Sequence, residues 1–179
     1  MVLLKGRTQE NGFIFFTNYL SNKGKQLEQH PYASLTFWWG DLQRQVRVEG
    51  LVSQLSPQLS DEYWNLRPLG SQISSAASQQ SQPLTSSAQF LEEIKDLEES
   101  WCKTCSDRVG KPLASVKDCM KEGDGCEHFP RPAHWGGFGV QPTKIEFWKG
   151  RRDRGHDRIV FMKKETQEGN MWEKQRLYP

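Results

Sequence analysis

The sequence predicts a mainly β fold with attached helices (α+β), built on a small antiparallel barrel. Most apolar and aromatic residues lie in short runs bounded by turn residues, a pattern typical of strands. Three further segments have the residue spacing or the start or stop signals of helices. The length of 179 residues is that of one domain, so we predict a single domain over 1–179.

The first half of the chain is predicted to form two strand pairs separated by a short helix. MVLLKG begins directly as a strand, and turn residues at 9–12 lead into a second β-rich run, which indicates a hairpin. The helix begins near Ser21 and stops before Pro31. Apolar and charged residues alternate over 45–49, so one face of that strand is expected to be buried. The predicted elements are strands at 1–6, 12–18, 33–39 and 45–55 and a helix at 21–29.

The second half is predicted to contain two helices and the remaining strands. Ser56 as N-cap and Pro57 at the first position start a helix that runs to about residue 66. The Ser- and Gln-rich stretch 71–87 has the composition of a flexible linker. Ser86 and Gln89 form a capping box before an amphipathic helix at 88–101. Residues 135–138 are predicted to lead into a strand that reaches Trp148, and strands at 158–163 and 172–177 are predicted to be joined by a turn at 168–170.

Composition excludes several classes of partner. The formal net charge is only +2, which gives no reason to expect a nucleic acid partner. No apolar run approaches membrane-spanning length, and the apolar start of the chain is too short for a signal peptide. We therefore predict a cytoplasmic protein without a membrane partner, whose four cysteines need not form disulfides.

A basic connector at 149–157 is the most informative stretch of the chain. Two β-like runs, 145–148 and 158–161, flank it, and it places cations and one imidazole between aromatic strands. Such a turn suits an anion bound against a flat ring, although a solvated hairpin tip has the same composition. The residues concerned are Arg151, Arg152, Arg154, His156 and Arg158.

The sequence of this stretch, FW-x-G followed by R-x-H-D-R, resembles the C-terminal signature of the pyridoxamine 5′-phosphate oxidase family. Further family motifs occur in the same order: MVLLKG, FFTN, S-x-K-G-K, RQVRVEG, Y-x-x-x-R-P-x-x-S-Q-I, QS, WGG and RL-x-P. The resemblance implies a split β-barrel that binds flavin mononucleotide (FMN) between the subunits of a homodimer. It implies oxidation of pyridoxine or pyridoxamine 5′-phosphate to pyridoxal 5′-phosphate, with O2 reoxidising the flavin and giving H2O2.

The resemblance also implies which residues contact the flavin. Lys23 and Arg158 are able to meet its phosphate with charge-assisted hydrogen bonds, while Gln45 and Gln80 suit polar ring or chain atoms. Without the motif, Trp148 would be interpreted as a core aromatic residue and Gln45 as an exposed strand residue. The implied cofactor-binding residues are Val2, Leu3, Leu4, Lys5, Phe16, Thr17, Lys23, Gln45, Gln80, Ser81, Trp148 and Arg158.

Substrate-binding residues follow from the same resemblance. Lys5, Tyr63, Arg67 and Ser71 match the positions that bind the substrate phosphate. Arg154, Gly155 and His156 match the segment that holds the pyridine ring, and Arg154 and His156 are the implied catalytic pair. On an extended backbone these two side chains would share one face.

Three features depart from the family pattern. The resemblance implies a segment upstream of Met1 that covers the substrate, so this chain starts inside the family's fold. Asn22 stands where the family has an arginine. A Cys-containing insertion at about 102–134 carries Cys102, Cys105, Cys119 and Cys126, with His128 nearby. The Cys-x-x-Cys pair suits zinc, but the wider spacing of the second pair favours idle thiols, and we predict no metal.

Three hypotheses about function remain open at this stage. The leading one is an FMN-dependent oxidase of B6 vitamers. The second is a non-catalytic split-barrel protein that binds FMN or pyridoxal phosphate, which Asn22 and the missing upstream segment favour. The third is a truncated product whose barrel folds poorly. A flavin spectrum that bleaches with pyridoxine 5′-phosphate in the absence of oxygen separates the first from the others.

Overall fold

The computed structural model describes residues 1–119, 121, 126, 128–166 and 169–179. The chain forms two compact units. Unit 1 comprises Met1–Phe15, Gln26–Gln54 and Phe138–Pro179, and unit 2 comprises Phe16–Lys25 and Leu55–Gly137. The strands are β1 (Gly6–Thr8), β2 (Gly12–Asn18), β3 (Tyr32–Trp39), β4 (Arg44–Gln54), β5 (Trp135–Lys149), β6 (Asp157–Thr166) and β7 (Gly169–Leu177). The α-helices are α1 (Asn22–Gln29), α2 (Pro57–Asn65), α3 (Leu69–Ala77), α4 (Ser87–Val109) and α5 (Val116–Cys119).

Unit 1 is built around an antiparallel sheet with the strand order β1-β2-β5-β4-β3, and β6 pairs with β5 and β7. Alternating apolar residues of these strands form its core, as the alternation in the sequence predicted. Gly12 has a φ of 65°, and a Cβ atom there would overlap the Val140 carbonyl, so the turn into β2 requires glycine. The buried apolar residues of this unit are Phe15, Val48, Val52, Phe138, Val140 and Val160.

The start of the chain corrects one prediction. MVLLKG does not form a strand along its length, because β1 begins only at Gly6. The Lys5 N–H still bonds the Ile14 carbonyl at 2.8 Å, so ladder pairing reaches Lys5. Before it, Val2, Leu3 and Leu4 line a cavity of about 360 Å³ instead of continuing the ladder. Apolar composition alone did not reveal where pairing ends.

The final hairpin forms as predicted, but both strands are longer than predicted, and Gly169 and Asn170, which were assigned to the turn, belong to β7. Strands β6 and β7 pair antiparallel, and Thr166 is opposite Gly169. Of the predicted turn at 168–170, Glu168 lies outside the described residues.

In the part of the chain that is described, no helix is long and apolar enough to cross a membrane.

Unit 2 holds helices α2 to α5 around a core that includes Trp64 and Ile73. Helix α2 begins as predicted, since the Ser56 hydroxyl accepts a hydrogen bond from the Leu59 N–H at 3.2 Å and Pro57 is the first helical residue.

Helix α3 shows that the linker predicted at 71–87 was wrong over its first half. Residues Leu69–Ala77 are helical, and Gln72 and Ile73 are fully buried. The Gln72 amide donates to the Trp64 carbonyl at 2.9 Å, and its oxygen accepts from the Phe129 N–H at 2.7 Å. These tertiary contacts override the moderate helix propensity of serine, which is why composition was misleading.

Helix α4 is longer than the prediction of 88–101. It continues to Val109 and ends at Gly110, whose φ of 69° is the left-handed cap that glycine favours. Cys102 and Cys105 are therefore helical. At the other end only half of the predicted capping box forms: the Ser86 hydroxyl accepts from the Gln89 N–H at 3.2 Å, but the Gln89 side chain bonds Glu93.

Candidate functional site

The predicted site residues are distributed over both units. In unit 2, Lys23 is the centre of a cluster of neutral oxygen atoms. Its ammonium group donates to the hydroxyls of Thr17 at 2.8 Å and Ser21 at 3.3 Å, and to the side-chain oxygen of Gln80. The Thr17 hydroxyl in turn donates to the same Gln80 oxygen at 3.1 Å. The predicted residues Thr17, Lys23 and Gln80 therefore lie together.

Ser81 joins this cluster through the backbone at the start of helix α1. Its hydroxyl accepts a hydrogen bond from the Asn22 N–H at 3.2 Å. Ser81 has a φ of 76°, an unfavourable conformation for a residue with a side chain, so its backbone is held by its surroundings. Such strain is typical of functional positions.

The electrostatics of Lys23 fit an anionic ligand. Burial lowers the pKa of Lys23, because the charged form loses hydration. Its hydrogen-bond partners in the described chain, named above, are neutral and compensate this loss only in part. A phosphate beside the ammonium group would supply the missing charge, and the surrounding hydroxyls and amide suit the oxygen atoms of a polyol chain. These residues fit the phosphate tail of a flavin.

Arg67 forms a second partly buried cation in unit 2. Its guanidinium lies over the rings of Trp135, at 4.6 Å, and Trp64, at 5.1 Å, and Nη2 donates to the Ser75 hydroxyl at 2.8 Å. Burial lowers the pKa of Arg67, an effect that nearby Tyr63 opposes. Among the described residues, Nη1 is buried without a hydrogen-bond partner. An unpartnered N–H of a desolvated guanidinium suits a phosphate oxygen.

The other predicted residues of this group are Tyr63, Phe16 and Ser71. The Tyr63 ring stacks on Phe16 with centroids 4.0 Å apart and lies parallel to Trp135 at 6.3 Å. Ser71 is exposed on α3. Sequence analysis did not predict that Trp64, Trp135 and Ser75 contact the Arg67 guanidinium. Trp135 is part of the WGG motif, which was the only indication in the sequence for any of the three.

In unit 1, Gln45 and Trp148 lie opposite each other across β4 and β5. Trp148 contacts the rings of His156, at 4.8 Å, and Trp38, at 5.9 Å. Gln45 and Trp148 line a cavity of about 510 Å³ whose walls include Trp39, Leu42 and Phe147. An apolar cavity with a few polar groups suits a planar ring. Val2, Leu3 and Leu4 line the separate 360 Å³ cavity described above, and Lys5 is exposed beside them.

The backbone of the basic connector corrects a second prediction. Arg152–Arg154 form a 3₁₀ turn, and Asp153 and Arg154 have φ values of 54° and 60°. The backbone is therefore not extended, and the argument that Arg154 and His156 share a face because they are two residues apart does not hold. Arg154 and Gly155 are exposed, whereas His156 is half-buried. Its Nδ1 atom accepts a hydrogen bond from the Arg151 N–H at 3.2 Å, so a neutral imidazole carries its proton on Nε2.

Arg158 is engaged in an ion network that sequence reasoning missed. Its Nε atom bonds Glu146 at 2.7 Å, and Arg47 contacts the other Glu146 oxygen at 3.1 Å. The hydrogen bond from Arg158 is the main cause of a lowered pKa of Glu146, and the same bond raises the pKa of Arg158. Glu146 is buried, whereas its neighbour Phe147 is exposed. A simple alternation of buried apolar and exposed polar residues would predict the reverse at these two positions.

This network predicts a pH-dependent contribution to stability. Because the pKa of Glu146 is lowered in the folded state, its stabilising effect is present above its unfolded pKa and is lost as the pH falls through the folded value. We expect Glu146→Gln to lower the free energy of unfolding by about 1–2 kcal/mol at pH 7. Urea unfolding between pH 3 and 7 measures this loss, and the difference between the variant and the parent should shrink at the acidic end. A difference that is constant with pH would contradict the assignment.

Residues 1–102 match the profile of the family described as pyridoxamine 5′-phosphate oxidase. Residues 135–179 match the profile described as the pyridoxine 5′-phosphate oxidase C-terminal dimerisation region. The chain is 44% identical over 179 residues to a pyridoxine/pyridoxamine 5′-phosphate oxidase of Thermosynechococcus vestitus, covering 100% of this chain and 71% of that protein.

Two solved structures share the fold. One is PhzG from Burkholderia lata 383 in complex with tetrahydrophenazine-1-carboxylic acid, with a TM-score of 0.73, 23% identity and coverage of 99% of this chain and 73% of that one. The other is a pyridoxamine 5′-phosphate oxidase-related, FMN binding protein from Nostoc punctiforme, with a TM-score of 0.65, 12% identity and coverage of 99% and 79%. They confirm the predicted fold class, a mainly β split barrel with attached helices.

Proposed function

Since the chain belongs to the pyridoxamine 5′-phosphate oxidase family, we propose that it oxidises pyridoxine or pyridoxamine 5′-phosphate to pyridoxal 5′-phosphate. One observation carries the proposal: unit 2 holds two partly buried cations, Lys23 and Arg67, whose hydrogen-bond partners among the described residues are neutral oxygens. The cofactor and the substrate of this reaction each bring one phosphate, so two separate anion sites are what the reaction requires.

The chain is an FMN-binding flavoprotein under this proposal. When bound, FMN would supply the acceptor for a hydride from the substrate, with O2 as the final oxidant and H2O2 as its product. Lys23 and Arg158 contact the flavin phosphate. Gln45, Gln80 and Trp148 contact its polar chain or ring, and the remaining contacts are made by Val2, Leu3, Leu4, Lys5, Phe16, Thr17 and Ser81.

The chain's own residues bind and orient the substrate. Arg67, with Lys5, Tyr63 and Ser71, binds the substrate phosphate. Arg154 holds the pyridine ring, and His156 donates its Nε2 proton to a ring substituent, an orientation supported by the bond that Nδ1 accepts from the Arg151 N–H. Holding the reacting carbon at a fixed distance is the main catalytic contribution of these residues.

The same proposal includes that the protein is a homodimer and that it is located in the cytoplasm. The match of residues 135–179 to a dimerisation region supports the homodimer.

The proposal is tested on the purified chain under anaerobic conditions. We expect a yellow protein with an oxidised flavin spectrum that bleaches when pyridoxine 5′-phosphate is added and returns when air is admitted. Oxidation to pyridoxal 5′-phosphate is followed by the product's own absorbance. A flavin that stays oxidised with the substrate present would identify a non-catalytic binder and contradict the oxidase assignment.

Arg67 gives the first variant prediction. Its unpartnered Nη1 atom is assigned to the substrate phosphate and not to the reacting ring, so Arg67→Ala should act mainly by raising KM, by roughly 10- to 100-fold. Steady-state kinetics at saturating substrate measure kcat separately. Lys95→Ala is a control, because Lys95 is exposed on helix α4 of the same unit and has no assigned role. A kcat that falls as much as kcat/KM in Arg67→Ala would show that Arg67 acts on the ring instead.

A further inference from the structure

The four cysteines of the chain meet in unit 2, apart from the residues assigned to the reaction. Cys105, Cys119 and Cys126 are fully buried in one cluster with Trp101, and Cys102 packs against it. All four are free thiols. Residues 103–134, which carry three of them, fall between the two matched family profiles.

Cys102 and Cys119 are in direct contact through their sulfur atoms, and Cys105 also contacts Cys119 and Cys126. The Sγ atoms of Cys102 and Cys119 are 3.5 Å apart, although 17 positions separate the residues in the sequence. Each is anchored on a helix, Cys102 on α4 and Cys119 at the end of α5. Two sulfur atoms in contact need only a small approach to reach the length of a disulfide bond.

The two thiols differ in accessibility. Cys119 is completely buried, whereas Cys102 is half-buried and lines a cavity of about 1390 Å³. That cavity also exposes Lys95, Lys103, Lys111 and Lys117 together with Glu98 and Asp107, so its wall is charged and open to polar molecules. A small oxidant is therefore able to reach Cys102 first, with Cys119 behind it.

We propose that Cys102 and Cys119 are a redox-active dithiol that a small-molecule disulfide, such as oxidised glutathione, converts to an intramolecular disulfide. The Cys102 thiolate attacks one glutathione sulfur, the glutathione S–S bond breaks, and one glutathione leaves and takes up a proton. Cys119, after losing its proton to solvent, attacks Cys102 Sγ and releases the second glutathione. The two cysteines lose two electrons and two protons, and the oxidant becomes two thiols.

The surroundings of Cys102 set the rate of this exchange. Burial, the Cys119 sulfur and the carboxylates of Glu98 and Asp118 raise the pKa of Cys102 to about 12. The thiolate is the nucleophile, so the exchange is slow at neutral pH and should accelerate about tenfold for each pH unit between 7 and 9. Once formed, the disulfide ties α4 to α5 and closes a loop, which should raise Tm by about 5 °C.

Tryptic mapping tests the pairing directly, because the lysine and arginine positions place each cysteine on a different peptide. The flavin-loaded protein is incubated with oxidised glutathione, alkylated and digested without reduction. We expect peptide 96–103 to be linked to peptide 118–121, two thiols to remain free for alkylation, and Tm to rise relative to the reduced protein. Cys102→Ser and Cys119→Ser should each abolish the link and the rise in Tm.

The variant Cys105→Ser/Cys126→Ser is the matched control, since it keeps the Cys102–Cys119 pair and should still form the link. The parent protein alone suffices if this variant does not fold. Three results would overturn the proposal: glutathione that remains attached to Cys102, a link between other peptides, or one zinc per chain that protects all four thiols from alkylation.

Discussion

Arg154→Ala is expected to lower kcat/KM by about 100-fold or more while the flavin content stays near that of the parent. Arg154 is assigned to the pyridine ring of the substrate, so its loss removes both a charge and the contact that holds the reacting carbon in place. The flavin phosphate is assigned to Lys23 and Arg158, which the substitution leaves intact.

The backbone at Arg154 strengthens this expectation. Asp153 and Arg154 both have positive φ values, a conformation that costs of the order of 1 kcal/mol for each residue that is not glycine. Glycine at these positions would relax the turn, but it would lose the guanidinium. A strained and exposed arginine is consistent with a side chain whose position serves a ligand.

Single-turnover reduction of the flavin under anaerobic conditions measures the effect without the oxygen step. Arg152→Ala is the control, because Arg152 is exposed in the same turn and carries no assigned role. Arg154→Lys separates charge from geometry, since lysine keeps the charge but not the planar fork. Equal rates in Arg154→Ala and the parent would remove Arg154 from the reaction.

The sequence was sufficient to predict the elements whose signals are local. Strand β2 has the predicted bounds, and α2 begins at Ser56 and Pro57 as expected. Hydrophobic alternation in strands and N-capping of helices depend on only a few neighbouring residues, so both can be recognised in the sequence without knowledge of the fold. Thr17, Lys23 and Gln80, which the resemblance assigned to the flavin, lie in one cluster, although Gln80 is far from the other two in sequence.

The features that the sequence did not predict depend on contacts between distant residues. Helix α3 is stabilised by the burial of Gln72, whose partner Phe129 lies 57 positions away. The burial of Glu146 follows from Arg47 on one neighbouring strand and Arg158 on the other. The left-handed backbone at Arg154 arises within a tight turn for which no glycine signalled the conformation.

Lys23→Ala is expected to weaken FMN binding by about 1.5–3 kcal/mol, which is roughly a 10- to 150-fold rise in Kd. Lys23 is partly desolvated, its pKa is lowered, and its partners in the described chain are hydroxyl and amide oxygens. Of the two cations assigned to the flavin phosphate, Lys23 is the one without a carboxylate partner among the described residues. Arg158, by contrast, already pairs with Glu146 at 2.7 Å.

This difference decides how the two cations should be compared. Arg158→Ala should also weaken FMN binding, but it removes a partner of Glu146 and therefore lowers stability as well. Lys25→Ala is the matched control for Lys23→Ala, because Lys25 is exposed on the same helix α1. Fluorescence titration of the apoprotein with FMN gives Kd, and urea unfolding of the same samples separates loss of binding from loss of stability. If FMN affinity is unchanged in both Lys23→Ala and Arg158→Ala, neither side chain contributes to FMN binding. The flavin phosphate would then be bound elsewhere.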